Sequence, residues 1–128
     1  MTPRLYRVIL PVRDLDAARR FYEVLLGLQS EQVSQGRRYF DCGGVVLALL
    51  DRAVEGDDRP YASNPETVYF AVDDLEETRA RAAAAGGAPS AIETRPWGET
   101  SFYVDDPDGN SLCFAAAGSE FRGGRFVP

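Results

Sequence analysis

One short stretch of this chain occurs twice. Arg7-Val-Ile-Leu-Pro-Val-Arg-Asp-Leu15 aligns with Thr67-Val-Tyr-Phe-Ala-Val-Asp-Asp-Leu75, and the spacing holds: Val12 to Val72 and Asp14 to Asp74 are each 60 residues apart. Both copies begin as apolar, β-rich segments, reach Asp-Leu and turn helical. Self-similarity at a fixed offset marks a repeated supersecondary unit. The chain should therefore fold as two like modules.

The first helix is predicted over Leu15 to Leu26. Leu15, Ala18, Phe21, Tyr22, Leu25 and Leu26 recur at three- and four-residue spacing and make one apolar stripe. Asp14 suits the N-cap and Gly27 the stop. The second helix is predicted over Leu75 to Ala85, with Asp74 and Glu77 as a capping box and Gly86-Gly87 as its end. Its inner face is mostly alanine, so it should lie close to its sheet.

Strand patterns follow each helix. They cover about 29–34, 37–41 and 45–50 in the first half, then 90–94, 100–104 and 111–116 in the second. Cys42-Gly43-Gly44 and Asp106-Pro-Asp-Gly109 fall at matching places, each before the last strand. The second has Asp, Pro and Gly where a type I turn favours them. Module 1 spans about 4–50, a polar connector about 51–65, module 2 about 66–117 and a Gly-rich tail 118–128. That tail is either loose or packed on a partner subunit. The expected architecture is α+β: a single domain of two tandem βαβββ modules that curve into an incomplete barrel.

The chain has 128 residues, enough for one ordinary hydrophobic core. It carries no histidine, which removes His bases, His triads and His-liganded metal sites. A net charge of −6 argues against nucleic acid, which needs a basic surface. No apolar run approaches a membrane span, and no secretory leader is recognisable, so the cytoplasm is the expected location. Cys42 and Cys113 form no CxxC pair, and in that compartment no disulfide is expected.

Four features in order resemble the vicinal oxygen chelate superfamily, the glyoxalase, bleomycin resistance protein and dioxygenase family. They are Leu10-Pro-Val-Arg-Asp-Leu15, Phe21-Tyr-Glu-Val-Leu-Leu-Gly-Leu28, Phe70-Ala-Val-Asp-Asp-Leu75 and Asp106-Pro-Asp-Gly-Asn110. The resemblance runs from about Leu5 to Ala117. Trp97-Gly98, Phe102 and the Asp106 turn look most like the bleomycin-resistance branch, although Thr100 stands where that branch has an arginine. The resemblance implies a small-molecule pocket and commonly a homodimer, with the pocket in some members shared between subunits.

Metal-dependent relatives place ligands on the first and last strand of each module. Here those positions hold Arg7, Ala48, Thr67 and Cys113. A guanidinium cannot ligate, and alanine offers no donor. A hydroxyl and a thiol do not replace the carboxylates and imidazoles a divalent ion needs there. No metal or other cofactor is therefore expected.

Strand alternation places Arg7, Ile9, Ala48, Leu50, Thr67, Tyr69, Ser111 and Cys113 on the concave face, with Trp97 and Phe102 added by the resemblance. Each has a plainer role open to it. Trp97 either stacks on a ligand or fills a core or dimer interface. Arg7 either anchors an anion or pairs within the protein. Cys113 is a reactive thiol or an inert buried one. Tyr69 is an acid, a stacking wall or packing. The expected function is metal-independent binding of a small molecule, cationic or aromatic, as in sequestration of a drug or metabolite. The alternatives are a metal-independent isomerase or lyase using Tyr69, Cys113 or a carboxylate with Arg7, and a non-catalytic dimer module.

Overall fold

The computed structural model describes residues 1–123. In chain order the elements are β1 (Arg7–Pro11), α1 (Leu15–Leu26), β2 (Glu31–Ser34), β3 (Arg37–Cys42), β4 (Val45–Leu50), β5 (Val68–Val72), α2 (Leu75–Ala84), β6 (Glu93–Thr94), β7 (Thr100–Asp105) and β8 (Ser111–Ala116). They form two four-stranded sheets of the same order, β1-β4-β3-β2 and β5-β8-β7-β6. In each sheet the first strand runs parallel to the last, and the remaining pairs are antiparallel. This is the βαβββ unit twice, with two curved sheets that do not close into a barrel.

Both helices start where their sequence says. Asp14 Oδ1 accepts the Ala17 N–H at 3.1 Å, and Asp74 Oδ1 accepts the Glu77 N–H at 3.0 Å. Gly27 ends α1 at φ 65°, a left-handed conformation that costs a residue with a Cβ. The expected capping box at α2 is half formed. The Glu77 carboxylate turns away from the N-cap to meet Arg81 one turn on, at 3.0 Å.

Two strands are shorter than their pattern. Ser30 does not extend β2, because its N–H and hydroxyl both donate to Glu23 at 3.2 and 2.7 Å. Ser90 does not extend β6. Its N–H bonds the Tyr103 carbonyl at 2.8 Å, but its own Oγ, at 2.9 Å, accepts the Tyr103 N–H that a ladder carbonyl would take.

Alternation gives each sheet one apolar and one mixed face. Leu10, Phe40 and Leu49 from the first sheet and Phe102, Leu112 and Phe114 from the second are all 0% exposed. They merge with Phe21, Tyr22 and Leu25 of α1 and Ala82 of α2 into one core cluster. Burial of each large side chain contributes roughly 1.5–3 kcal/mol. Phe70, Phe114 and Phe102 stack in a row, with centroid separations of 4.8 and 5.4 Å. Helices and core lie behind the sheets, so the mixed faces point the other way.

The module junction is polar and organised by the turn before β8. Asp106 Oδ1 accepts the N–H groups of Asp108 and Asn110, and Oδ2 accepts the Tyr22 hydroxyl at 2.6 Å and Asn110 Nδ2 at 2.8 Å. Asn110 Nδ2 also donates to the Pro11 carbonyl, and its Oδ1 accepts the Asn64 N–H, both at 2.8 Å. The Tyr61 hydroxyl sits between the carbonyls of Pro11 and Asp108 at 3.0 and 2.8 Å. The Arg13 backbone N–H reaches Asp108 Oδ1 at 3.0 Å. Module 1, the connector and module 2 are tied at this one turn.

The tail's described part, residues 118–123, folds back on module 2. Thr100 N–H donates to Ser119 Oγ at 3.1 Å, and Phe121 N–H donates to Glu99 Oε2 at 2.9 Å. For residues 124–128 the choice between a loose and a packed tail lies outside the described residues.

Candidate ligand-binding site

The residues expected on the concave face divide between the two sheets, which share no hydrogen-bonded strand pair. On the first sheet, the register sets Arg7 beside Val46, and Ile9 beside Ala48, which in turn faces Tyr39. Arg7 Nη1 donates to the Tyr39 hydroxyl at 3.1 Å, and its guanidinium lies 5.2 and 5.8 Å from the ring centroids of Tyr6 and Tyr39. Ile9 is 46% exposed, Ala48 is buried beneath its neighbours and Leu50 is half-buried. This is a cationic and aromatic patch.

The second sheet carries hydroxyl, thiol and phenol groups on this face. Thr67 and Ser111 share a hydrogen bond of 2.8 Å between their hydroxyls. Tyr69, Cys113 and Tyr103 stand side by side across β5, β8 and β7. Burial raises the Cys113 thiol above its ordinary value, against the opposing hydrogen bonds of Ser101 and Tyr103. Burial, the Tyr69 hydroxyl and the Cys113 thiol push Tyr103 up to about 12. Arg95 lies over the Tyr103 ring at 5.1 Å, donates to Ser101 Oγ at 3.1 Å and pairs with Glu93 at 2.9 Å.

Next to this cluster is a hollow of about 530 Å³. Its walls include Tyr69, Ala71, Trp97, Glu99, Ala115 and Phe121. Trp97 is 40% exposed, and its indole N–H donates to Glu99 Oε1 at 2.7 Å. Glu99 itself is only 7% exposed, and its other oxygen holds the Phe121 N–H. The volume falls within the roughly 300–1,000 Å³ usual for small-molecule pockets.

Of the expected residues, Tyr69 and Trp97 line this hollow together. Arg7, Ile9, Ala48 and Leu50 belong to the other sheet. Phe102 is a correction. Its register opposite Phe114 turns it to the helix side, where it is 0% exposed in the core, and Ser101 and Tyr103 take the concave side. Alternation along β7 carries the signal for those two. The polar neighbour two residues after Trp97 is the signal for Glu99. Nothing in the tail's pattern marks Phe121.

The four positions that hold metal ligands in metal-dependent relatives are now placed. Arg7 pairs with Tyr39, Ala48 ends in a methyl group, Thr67 bonds Ser111 and Cys113 is a buried thiol. Among the described residues, no group of three or more His, Cys, Asp or Glu side chains is arranged to hold a metal ion. This donor set does not fit a divalent cation.

Residues 4–114 match the family model described as the glyoxalase/bleomycin resistance protein/dioxygenase superfamily. A lactoylglutathione lyase from Agrobacterium tumefaciens is a structural relative with 27% identity and a TM-score of 0.71, covering 91% of this chain and 95% of that one. A glyoxalase-related enzyme from Fulvimarina pelagi, 24% identical with a TM-score of 0.74, shares the fold over 90% of this chain and 88% of its own. CFP32 of Mycobacterium bovis, whose name carries the word glyoxylase, is 42% identical over 77 residues, which is 56% of this chain. The aligned stretch is 28% of CFP32, so the chain spans under a third of that relative.

Proposed function

The chain belongs to the glyoxalase/bleomycin resistance protein/dioxygenase superfamily, and we propose that it binds a small organic molecule in the hollow of its second sheet without a metal ion. One observation carries this reading. The hollow has aromatic and apolar walls and one buried polar anchor, while the four positions that hold ligands in metal-dependent relatives carry Arg7, Ala48, Thr67 and Cys113. The activities named for the lactoylglutathione lyase and the CFP32 proteins belong to those proteins.

The side chains around the hollow favour holding over reacting. Burial keeps the Cys113 thiol protonated at neutral pH, and Tyr103 stays a phenol well past it. Arg7, the anion stabiliser of a metal-independent isomerase or lyase, stands on the other sheet. The protein also serves as a homodimer in this reading. Leu5, Tyr6 and Ile9 leave 70, 61 and 46% of their surfaces exposed at one edge of the first sheet, a face that a second copy could cover.

The test is a thermal-shift screen of purified protein against cationic antibiotics, aromatic metabolites and short acids, with metal analysis alongside. Ligand should raise the midpoint by mass action and be recovered unaltered. Chelator should leave the midpoint in place. One divalent ion per chain whose removal lowers the midpoint, or conversion of the ligand to product, overturns the reading.

A further inference from the structure

We propose that the hollow on the second sheet selects an organic cation: a compact, weakly hydrated ammonium ion of the quaternary or tertiary kind, held among Tyr69, Trp97 and Phe121 against the Glu99 carboxylate. The inference rests on the reading that this hollow is where the ligand binds, and adds the charge and type of ligand to it.

The first argument is the walls. Four aromatic residues line one cavity, and three of them keep much of their surface exposed: 60% for Tyr69, 40% for Trp97 and 42% for Phe121. Aromatic faces attract cations through their ring quadrupole, tryptophan most strongly, and the attraction grows as the cation is desolvated. Among the described residues no guanidinium lies over any of these three rings, which leaves that capacity unused.

The second is the floor. Glu99 is 93% buried, and a buried carboxylate normally has a cationic partner. Among the described residues no arginine forms an ion pair with it, and the chain has no lysine. The neighbouring Arg95 is engaged by Glu93 and Ser101. Two neutral N–H groups, from Trp97 and Phe121, satisfy its oxygens without an ion pair. The rim adds Glu120, whose carboxylate also accepts the Gly118 N–H, and one opposing guanidinium, Arg122. Two carboxylates face one cation of the protein, so the cavity has a net negative lining.

The third argument selects the kind of cation. Each Glu99 oxygen already holds a donor, so the site asks for charge more than for further N–H groups. A primary ammonium ion would lose strong hydration and gain few hydrogen bonds in exchange. A methylated ammonium ion has little hydration to lose and presents apolar methyl groups to the rings.

Trp97 is the chain's only tryptophan, so its fluorescence reports on this cavity alone. The probes are choline and its neutral carbon isostere 3,3-dimethylbutanol, titrated into the full chain with the thermal midpoint as a second readout. Choline should change Trp97 emission saturably and raise the midpoint, and the isostere should bind roughly tenfold more weakly. Glu99→Gln should weaken choline by about tenfold and leave the isostere unchanged. Tyr69→Ala should weaken choline by roughly threefold with the fold intact, because Tyr69 is largely exposed. If Glu99→Gln fails to fold, the isostere comparison and Tyr69→Ala decide the matter. Equal binding of choline and its isostere overturns the cation selection but leaves a ligand in the hollow, so the broader reading survives. No response to either probe overturns the cation selection too, and the broader reading is then judged by the neutral and acidic compounds of the screen.

Discussion

The turns before β4 and β8 occupy the same place in the two modules, yet they do different work. Asp41 and Gly44 in the first correspond to Asp106 and Gly109 in the second. Asp41 is exposed and accepts one N–H, that of Gly44, at 2.8 Å. Asp106 is 5% exposed and accepts from Asp108, Asn110 and Tyr22. The first turn serves its own hairpin. The second joins the modules. The duplicated path was retained in both copies, whereas the fastening was built on one.

The sharpest way to break this comparison is to remove Asn110. Asn110→Ala would leave the Asn64 N–H without its partner and take one of two donors from both the Pro11 carbonyl and Asp106 Oδ2, at a residue that is 0% exposed. The expected loss is about 3 kcal/mol or more in urea unfolding. Asp41→Ala, at the matching turn, should cost about 0.5 kcal/mol. Similar losses at the two turns would mean that the module junction is not held where the hydrogen bonds place it.

The repeat, both helix starts and the last strand of each module were legible in the sequence because they rest on local rules. An Asp before an apolar stripe caps a helix wherever it stands. The Ser30 and Ser90 ends were not legible, since a side chain competing for a backbone bond depends on which neighbour arrives. On the site, Tyr69 was reachable by alternation and Trp97 by resemblance. Phe102 went to the wrong face because resemblance overrode the period-two pattern that assigns it to the core. Phe121 was invisible, as its position depends on a single bond from its backbone to a glutamate 22 residues earlier.

A smaller effect sharpens the same comparison through pH. The Tyr22 hydroxyl, fully buried, donates to Asp106 across the modules. Burial and the Asp106 and Asp108 carboxylates raise it well above its ordinary value of 10.0. The unfolded chain therefore gives up this proton first. The contribution is whole below pH 10 and is lost as pH rises beyond it. Tyr22→Phe should cost about 1.5–2 kcal/mol at pH 7. It should also flatten the alkaline fall in stability relative to the wild type. An unchanged alkaline limb would assign that fall to other tyrosines, with Tyr103, raised to about 12, the next to test.

The smallest effect is expected on the first sheet. Arg7 is exposed, and its contacts with Tyr6 and Tyr39 are those of a surface cation on rings. Arg7→Ala should cost about 0.5 kcal/mol or less in urea unfolding at low protein concentration. The concentration dependence is the informative part. A monomer loses the same small amount at every concentration. If a second copy covers Leu5, Tyr6 and Ile9 in solution, Arg7 is buried in the pair, and its removal lowers the midpoint more as the protein is concentrated. A concentration-dependent loss would show that this face of the first sheet is half of an interface.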